Sequence, residues 1–330
     1  MNASRSEVIA ALTGSRPLLL MTHEHPDGDA IGSLVAMHRI LEALGISAPM
    51  LIGDGDDPAE EYHFLVSWDK VQRELPADLA DRTLVMLDCG NYERSPLGDV
   101  DPGSAEIVNI DHHHDNTRFG TINLVIPEAS CTAEIVWGLS SDMGATIDLT
   151  TAQALYAGLI TDTGRFMYSN TGVEAHRMAG ELIELGVEVE PIYRRIYEGV
   201  EEGRVRLLAK ALSSIERHEG GALTLTWLSR DDFDSASAPD DWSEGVIDHL
   251  RAIQGTAVAA VIREPKQDPM TRRISLRAAR DGVDVSLIAR EGGGGGHKGA
   301  AGFSSDLPRE ELLEFIRAAV ADQVANSTVA

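Results

Sequence analysis

Five short runs in the first 130 residues are nearly continuous in apolar side chains: RPLLLMTH (16–23), APMLIG (48–53), RTLVMLDCG (82–90), EIVNIDHH (106–113) and TINLVIP (121–127). Strands of that kind are expected where helices cover both faces of a sheet. Between the first two lies GDAIGSLVAMHRILEALG (28–45), which has helical spacing and stops at Gly45, a suitable C-terminal cap. Strand alternating with helix predicts a parallel sheet with crossover helices, an α/β fold.

Beyond Pro127 the pattern turns helical, through SCTAEIVWGLSSDMG, TTAQALYAGLITDTGRF and TGVEAHRMAGELIELGV. The polar stretch EPIYRRIYEGVEEGRVRLLAKALSSIERH (190–218) reads as a helical bridge to a second unit. That unit has strands GALTLTWLS, TAVAAVIRE and RRISLRAAR, a helix VDVSLIAREG, the run GGGGGHKGAAGF and a terminal helix PREELLEFIRAAVADQ. The expected organisation is an N-terminal parallel-sheet domain over 1–190, a helical linker over 191–219 and a smaller C-terminal α/β domain over 220–330. At 330 residues the chain can bury two cores.

The charged strand ends matter more for chemistry. His23, Asp27 and Asp29 follow the first run, Asp88 ends the third, and Asp111, His112, His113 and His114 end the fourth. Asp162 closes the helical run ALYAGLITD. In an open α/β sheet the carboxyl ends of the strands line one crevice. Carboxylates can bridge two divalent ions and a neutral imidazole can donate one lone pair. Such a set without thiolates suits Mn²⁺ or a similar first-row ion. Two ions about 4 Å apart polarise a phosphoryl group and generate hydroxide near neutral pH. Each residue alone also has a plainer role: Asp27 or Asp29 as a helix N-cap, Asp88 or Asp162 as a turn residue, His113 or His114 as a solvated loop histidine. Their succession along one sheet is what favours a metal centre.

HEHPDGDAIGS, VMLDCG, DHH and TDTGRF, in this order, resemble the four motifs of the DHH phosphoesterase superfamily. GGGGGHKGAAGF resembles the signature of its associated C-terminal domain. Length and second domain are similar to the branch of bifunctional oligoribonucleases and pAp phosphatases. The resemblance implies His23 and Asp27 on one Mn²⁺, Asp29, His112 and Asp162 on the other, and Asp88 bridging both, with Mg²⁺ or Co²⁺ as substitutes. It also implies Asp111 as an orienting carboxylate, His113 at the scissile phosphate, and Arg277, Gly295, Gly296 and His297 as a substrate clamp. The active site is then expected in a cleft between the domains. His114 departs from the pattern and leaves open which imidazole meets the phosphate. For the glycine run the plain alternative is a flexible linker; for Arg277 it is a solvated edge charge.

Acidic residues number 53 against 28 Lys plus Arg, a formal charge of −25. That field disfavours long duplex nucleic acid but leaves room for a short piece held by local cations. Cys89 and Cys131, without a CxxC spacing, suit a reducing cytoplasm. No apolar run approaches the roughly 20 residues of a membrane span. The expected activity is Mn²⁺-dependent hydrolysis of short oligonucleotides from an end and of 3′-phosphoadenosine 5′-phosphate. A cyclic di-AMP or pApA phosphodiesterase is the rival enzyme, and a catalytically silent nucleotide sensor the rival of another class. A homodimer is left open.

Overall fold

A computed structural model describes residues 2–53, 55–98, 100–243, 245–265 and 270–327. The chain divides into two compact units, Met1–Gly199 and Val200–Ala330. The first begins with α1 (Arg5–Leu12), β1 (Leu18–Met21), α2 (Gly28–Ala43), β2 (Met50–Leu51), β3 (Val71–Gln72), β4 (Thr83–Leu87), β5 (Glu106–Asp111) and β6 (Ile122–Val125). It ends with α3 (Thr132–Asp142), α4 (Leu149–Asp162), α5 (Val173–Glu184) and α6 (Val189–Tyr197).

The first sheet has the order β3-β2-β1-β4-β5-β6, and every neighbouring pair is parallel. The order reverses between β1 and β4, so the crevice beyond their carboxyl ends is the natural ligand position. Leu18, Leu20, Val85, Leu87, Val108 and Ile110 pack with side chains of α2, α3 and α4 in the larger core. On the opposite face Leu19, Met21, Leu84, Met86 and Ile107 meet Leu79, Leu97, Tyr92 and Phe119. Helices on both faces were expected. Instead, the second face is closed by loops and one-turn 3₁₀ helices such as Leu79–Asp81 and Tyr92–Arg94. Apolar side chains seal a strand equally well from either kind of element, so the continuous runs do not distinguish them.

Glycines bring α2 against α4. A Cβ on Gly32 would lie 2.5 Å from the Ala154 carbonyl oxygen, and one on Gly158 would lie 2.8 Å from Asp29 Oδ1. A Cβ on Gly28 would meet the Thr161 side chain at 2.5 Å. Only hydrogen at these positions lets the helix that starts beside Asp27 approach the helix that ends at Asp162.

The second unit contains α7 (Glu202–Ser213), β7 (Glu216–His218), β8 (Leu223–Leu228), α8 (Arg230–Ala236), α9 (Val246–Arg251), β9 (Val258–Arg263), β10 (Arg272–Ala278), α10 (Val285–Glu291), β11 (Gly295–His297), β12 (Ala300–Ser305) and α11 (Arg309–Ser327). Its sheet runs β11-β12-β10-β9-β8-β7, with β8 and β9 parallel and the other pairs antiparallel. The polar stretch 190–218 is two helices and a strand, because α6 stops at Glu198 and α7 starts after Glu201. The intervening Gly199 takes φ +89, which right-handed helix forbids.

Candidate metal centre

His23 follows β1 by two residues, and Asp88 follows β4 directly, so both stand at the point where strand order reverses. Asp88 is 2 % exposed and holds its backbone at φ +58, a left-handed conformation that Asp tolerates better than most residues. Its two oxygens face opposite ways. Oδ2 is 3.7 Å from His23 Nε2, and Oδ1 is 3.7 Å from His112 Nε2. His112 Nε2 lies in turn 3.6 Å from Asp162 Oδ2.

Three sets of potential ligand atoms lie within 4.8 Å of one another: His23, Asp27 and Asp88; Asp29, His112 and Asp162; and Asp88, His112 and His113. Asp88 and His112 recur among them. Exposed His114 belongs to none.

Asp27 is both an N-cap and a member of the first set. Its Oδ1 accepts the amides of Asp29 and Ala30, each at 3.1 Å, which leaves Oδ2 for other work. Asp29 caps a different helix. Its carboxylate accepts the Thr132 amide at 2.6 Å and the Ala133 amide at 2.9 Å, at the start of α3, whose own N-cap Cys131 offers no side-chain bond. Helix amides favour the anion there, but burial pushes the Asp29 carboxyl well up, and the charges of Asp88, Asp162 and Asp27 add to it. Asp162 is pushed up to about 6, by burial first and then by Asp88 and Asp27, with His112 and His113 opposing. Burial also works to raise Asp88, but the facing His23 imidazole and the charges of His113 and His112 outweigh that and hold it below the ordinary range. Four carboxylates at such short range repel one another unless cations or protons intervene. The donor set, carboxylate and imidazole only, suits a hard-to-borderline divalent ion.

Asp111 is fully buried and accepts from the His112 amide and from the His113 ring, both at 2.8 Å. It therefore steers the loop and His113, not the His112 ring. That bond lifts His113 to about 9. Asn116 Nδ2 fixes the other Asp111 oxygen at 2.5 Å. His23 Nδ1 lies 2.7 Å from the Glu24 carbonyl and 3.0 Å from Arg94 Nη2. A proton on Nδ1 satisfies the carbonyl and leaves the Nε2 lone pair on the Asp88 side, as metal ligation requires. The guanidinium can donate to Nδ1 only in the other tautomer.

Three further residues support the centre. Thr132 donates its hydroxyl to Asp88 Oδ1 at 2.9 Å. Asn170 donates to Asp162 Oδ2 at 3.2 Å and to the Ser130 carbonyl at 2.8 Å. Ser33 reaches Asp29 Oδ1 at 3.3 Å. Sequence reasoning passed over all three.

In the second unit Arg277 and His297 both pair with Ala300, so they stand in one row across β10, β12 and β11 and share a face. Two strand spacings separate them by about 10 Å. Ile274 and Leu276 point to the opposite, buried face. The glycine run is a turn at Gly292 and Gly293 that leads into β11 at Gly295, rather than a linker. Gly294 and Gly296 lie so close to β12 that a Cβ would come within 2.2 Å of the Gly302 oxygen and 2.5 Å of Ala301 Cα, respectively. Gly295 is exposed and has open space beside it.

Comparison with known proteins adds an independent line. Residues 17–159 match the DHH family, N-terminal domain, and residues 233–326 match the DHHA1 domain. The chain is 33% identical over 317 residues to a bifunctional oligoribonuclease and PAP phosphatase NrnA of Thermus thermophilus, covering 94% of this chain and 92% of that one. A Bacillus subtilis protein of the same description is 26% identical, covering 91% and 93%. An exopolyphosphatase-related protein from Bacteroides fragilis shares the fold, with a TM-score of 0.85 at 23% identity over 96% of this chain and 95% of that one.

Proposed function

This chain belongs to the DHH family of metal-dependent phosphoesterases, and on that footing we propose that it hydrolyses short oligonucleotides from an end and removes a phosphate from 3′-phosphoadenosine 5′-phosphate, using two Mn²⁺ ions. The observation that carries the two-ion reading is Asp88, with one oxygen toward His23 and the other toward His112. His23 and Asp27 would hold one ion, Asp29, His112 and Asp162 the other, and Asp88 both. Bound ions of this kind stabilise charge on a phosphoryl group and acidify a coordinated water.

The protein's own groups do the rest. Asp111 accepts from His113 Nδ1 and so holds that ring in place, with Nε2 left to meet a phosphate oxygen. Thr132 and Asn170 each donate to one of these carboxylates, Asp88 and Asp162, and so help to orient the ligand set before substrate arrives. Arg277 and His297, on one sheet face, are suited to a phosphate or sugar away from the reacting bond, and Gly295, with open space beside it, to close backbone approach, while Gly296 seats β11 against β12. The relatives named as oligoribonuclease and PAP phosphatase support this substrate class.

The test is purified protein with Mn²⁺ against pAp, pApA, cyclic di-AMP, RNA from dinucleotide to 24-mer (about that range suffices) and pyrophosphate. Turnover should be highest on pAp and the shortest RNA and fall with length, because the acidic surface opposes longer polyanions. Arg277→Ala should lower kcat/KM on pAp without changing Mn²⁺ stoichiometry. Preference for cyclic di-AMP or pApA would replace the substrate assignment, and equal rates per end on dinucleotide and 24-mer would overturn it.

A further inference from the structure

The segment that follows Asp162 is unusual in both backbone and surface. Gly164, Arg165 and Phe166 take φ +54, +62 and +66 in succession, and two of them are not glycine. Left-handed backbone at bulky residues persists only where surrounding bonds over-determine it. They do so here. Buried Thr163 accepts the amides of Met167 at 2.9 Å and Tyr168 at 3.0 Å on its carbonyl, and that of Phe166 at 3.2 Å on its hydroxyl. The far end is tied to the metal centre itself, through Asn170 and the Asp162 carboxylate.

This rigid turn displays apolar surface to water. Met167 is 81% exposed and Tyr168 57%. The Tyr168 ring lies against Gly164, where a Cβ would come within 2.4 Å of it, so one ring face is backed by the chain and the residue is otherwise open. Arg165 stands over the Tyr197 ring at 5.0 Å and pairs with no carboxylate among the described residues, in a chain where acids outnumber bases almost two to one. A backed aromatic ring, an uncompensated guanidinium and a tie to Asp162 fit a ligand with a flat apolar part and an anionic part.

We infer that residues 163–170 form a nucleotide platform in which the open side of Tyr168 takes a nucleobase, Met167 borders it, and Arg165 faces phosphate charge. The inference rests on the nucleotide reading of the metal centre. It adds that base recognition occurs within the first unit, on the segment carrying Asp162.

The test compares adenosine 5′-monophosphate with ribose 5-phosphate, which lacks the base, by calorimetric titration of the Mn²⁺-loaded full-length protein. Wild type should bind the nucleotide more tightly, by about 5- to 100-fold, the range of a base–aromatic stack. Tyr168→Ala should bring the ratio close to one, and Tyr168→Phe should keep it. Arg165→Ala should weaken both ligands by a common factor. Unaltered melting temperature and Mn²⁺ stoichiometry establish that each variant is folded. Absence of a preference in wild type overturns the platform. So does a preference that survives Tyr168→Ala, or one lost only in Arg165→Ala. If the ratio behaves as expected while no nucleotide is hydrolysed, the platform stands and the proposed reaction fails.

Discussion

At the scale of single residues the centre turns on Asp88, which is buried, faces the imidazoles of His23, His112 and His113, and takes Thr132 as a donor. Asp88→Asn keeps volume and the Thr132 contact but replaces one oxygen with a donor that cannot ligate. It should lose one of two bound ions and about 10³-fold in turnover, several kcal/mol of barrier, with the fold retained. Metal content by mass spectrometry and steady-state rates at saturating Mn²⁺ check this; full activity would exclude a bridging role. The acids and imidazoles at strand ends were legible because each sits in a short local motif. Their partners were not. Asp29 caps a helix that begins a hundred residues later, and Asn170 reaches Asp162 around a left-handed turn. Neither contact leaves a trace in local spacing.

At the scale of elements, the α2–α4 seam sets how closely the two halves of the ligand set can come. Gly32→Ala puts a methyl 2.5 Å from the Ala154 carbonyl, a backbone atom that cannot swing aside. The helices must separate, which should cost about 1–3 kcal/mol of stability. It should also weaken Mn²⁺ binding, because Asp29 and Asp162 ride on the two helices. Denaturant unfolding and a metal titration on the same variant test the pair of effects; a stable variant with normal affinity would show that the seam has slack. The parallel strands were legible from their apolar runs and the helix between them. The two-residue strand β3 and the short helices α8 and α9 were not, since two residues show no alternation and RDDFDSA in α8 is mostly polar, unlike the equally short but apolar VSLIARE of α10. The break between α6 and α7 lay unread in Glu198–Glu201, where Gly199 was the one local sign.

At the scale of the whole molecule, electrostatics links folding to metal and pH. Asp162 titrates at about 6 in the fold against 3.8 ordinarily, and Asp29 is raised in the same sense. A carboxyl whose folded value is raised favours the fold while protonated, and that contribution is lost as pH climbs from the ordinary value through the folded one. The metal-free protein should therefore lose stability from about pH 4 to about pH 6 on account of Asp162, with Asp29 acting in the same direction. Divalent ions bind the ionised form and offset the loss. The rise in melting temperature on replacing EDTA with Mn²⁺ should be small near about pH 5 and grow toward about pH 7.5. A rise that does not vary with pH, measured by differential scanning fluorimetry, would show that the carboxylates are not what the ion meets. No helix among the described residues is long and apolar enough to cross a membrane.

The left-handed backbone at Asp88 bears on heredity as well as chemistry. Asn and Gly are the residues that adopt this conformation most readily, and each is a single-nucleotide change away from either Asp codon. If Asp88 holds both ions as proposed, one point mutation at this codon can impair the metal centre while suiting the backbone it sits on. In a duplicated gene these two substitutions would remove the proposed bridge at the least backbone cost.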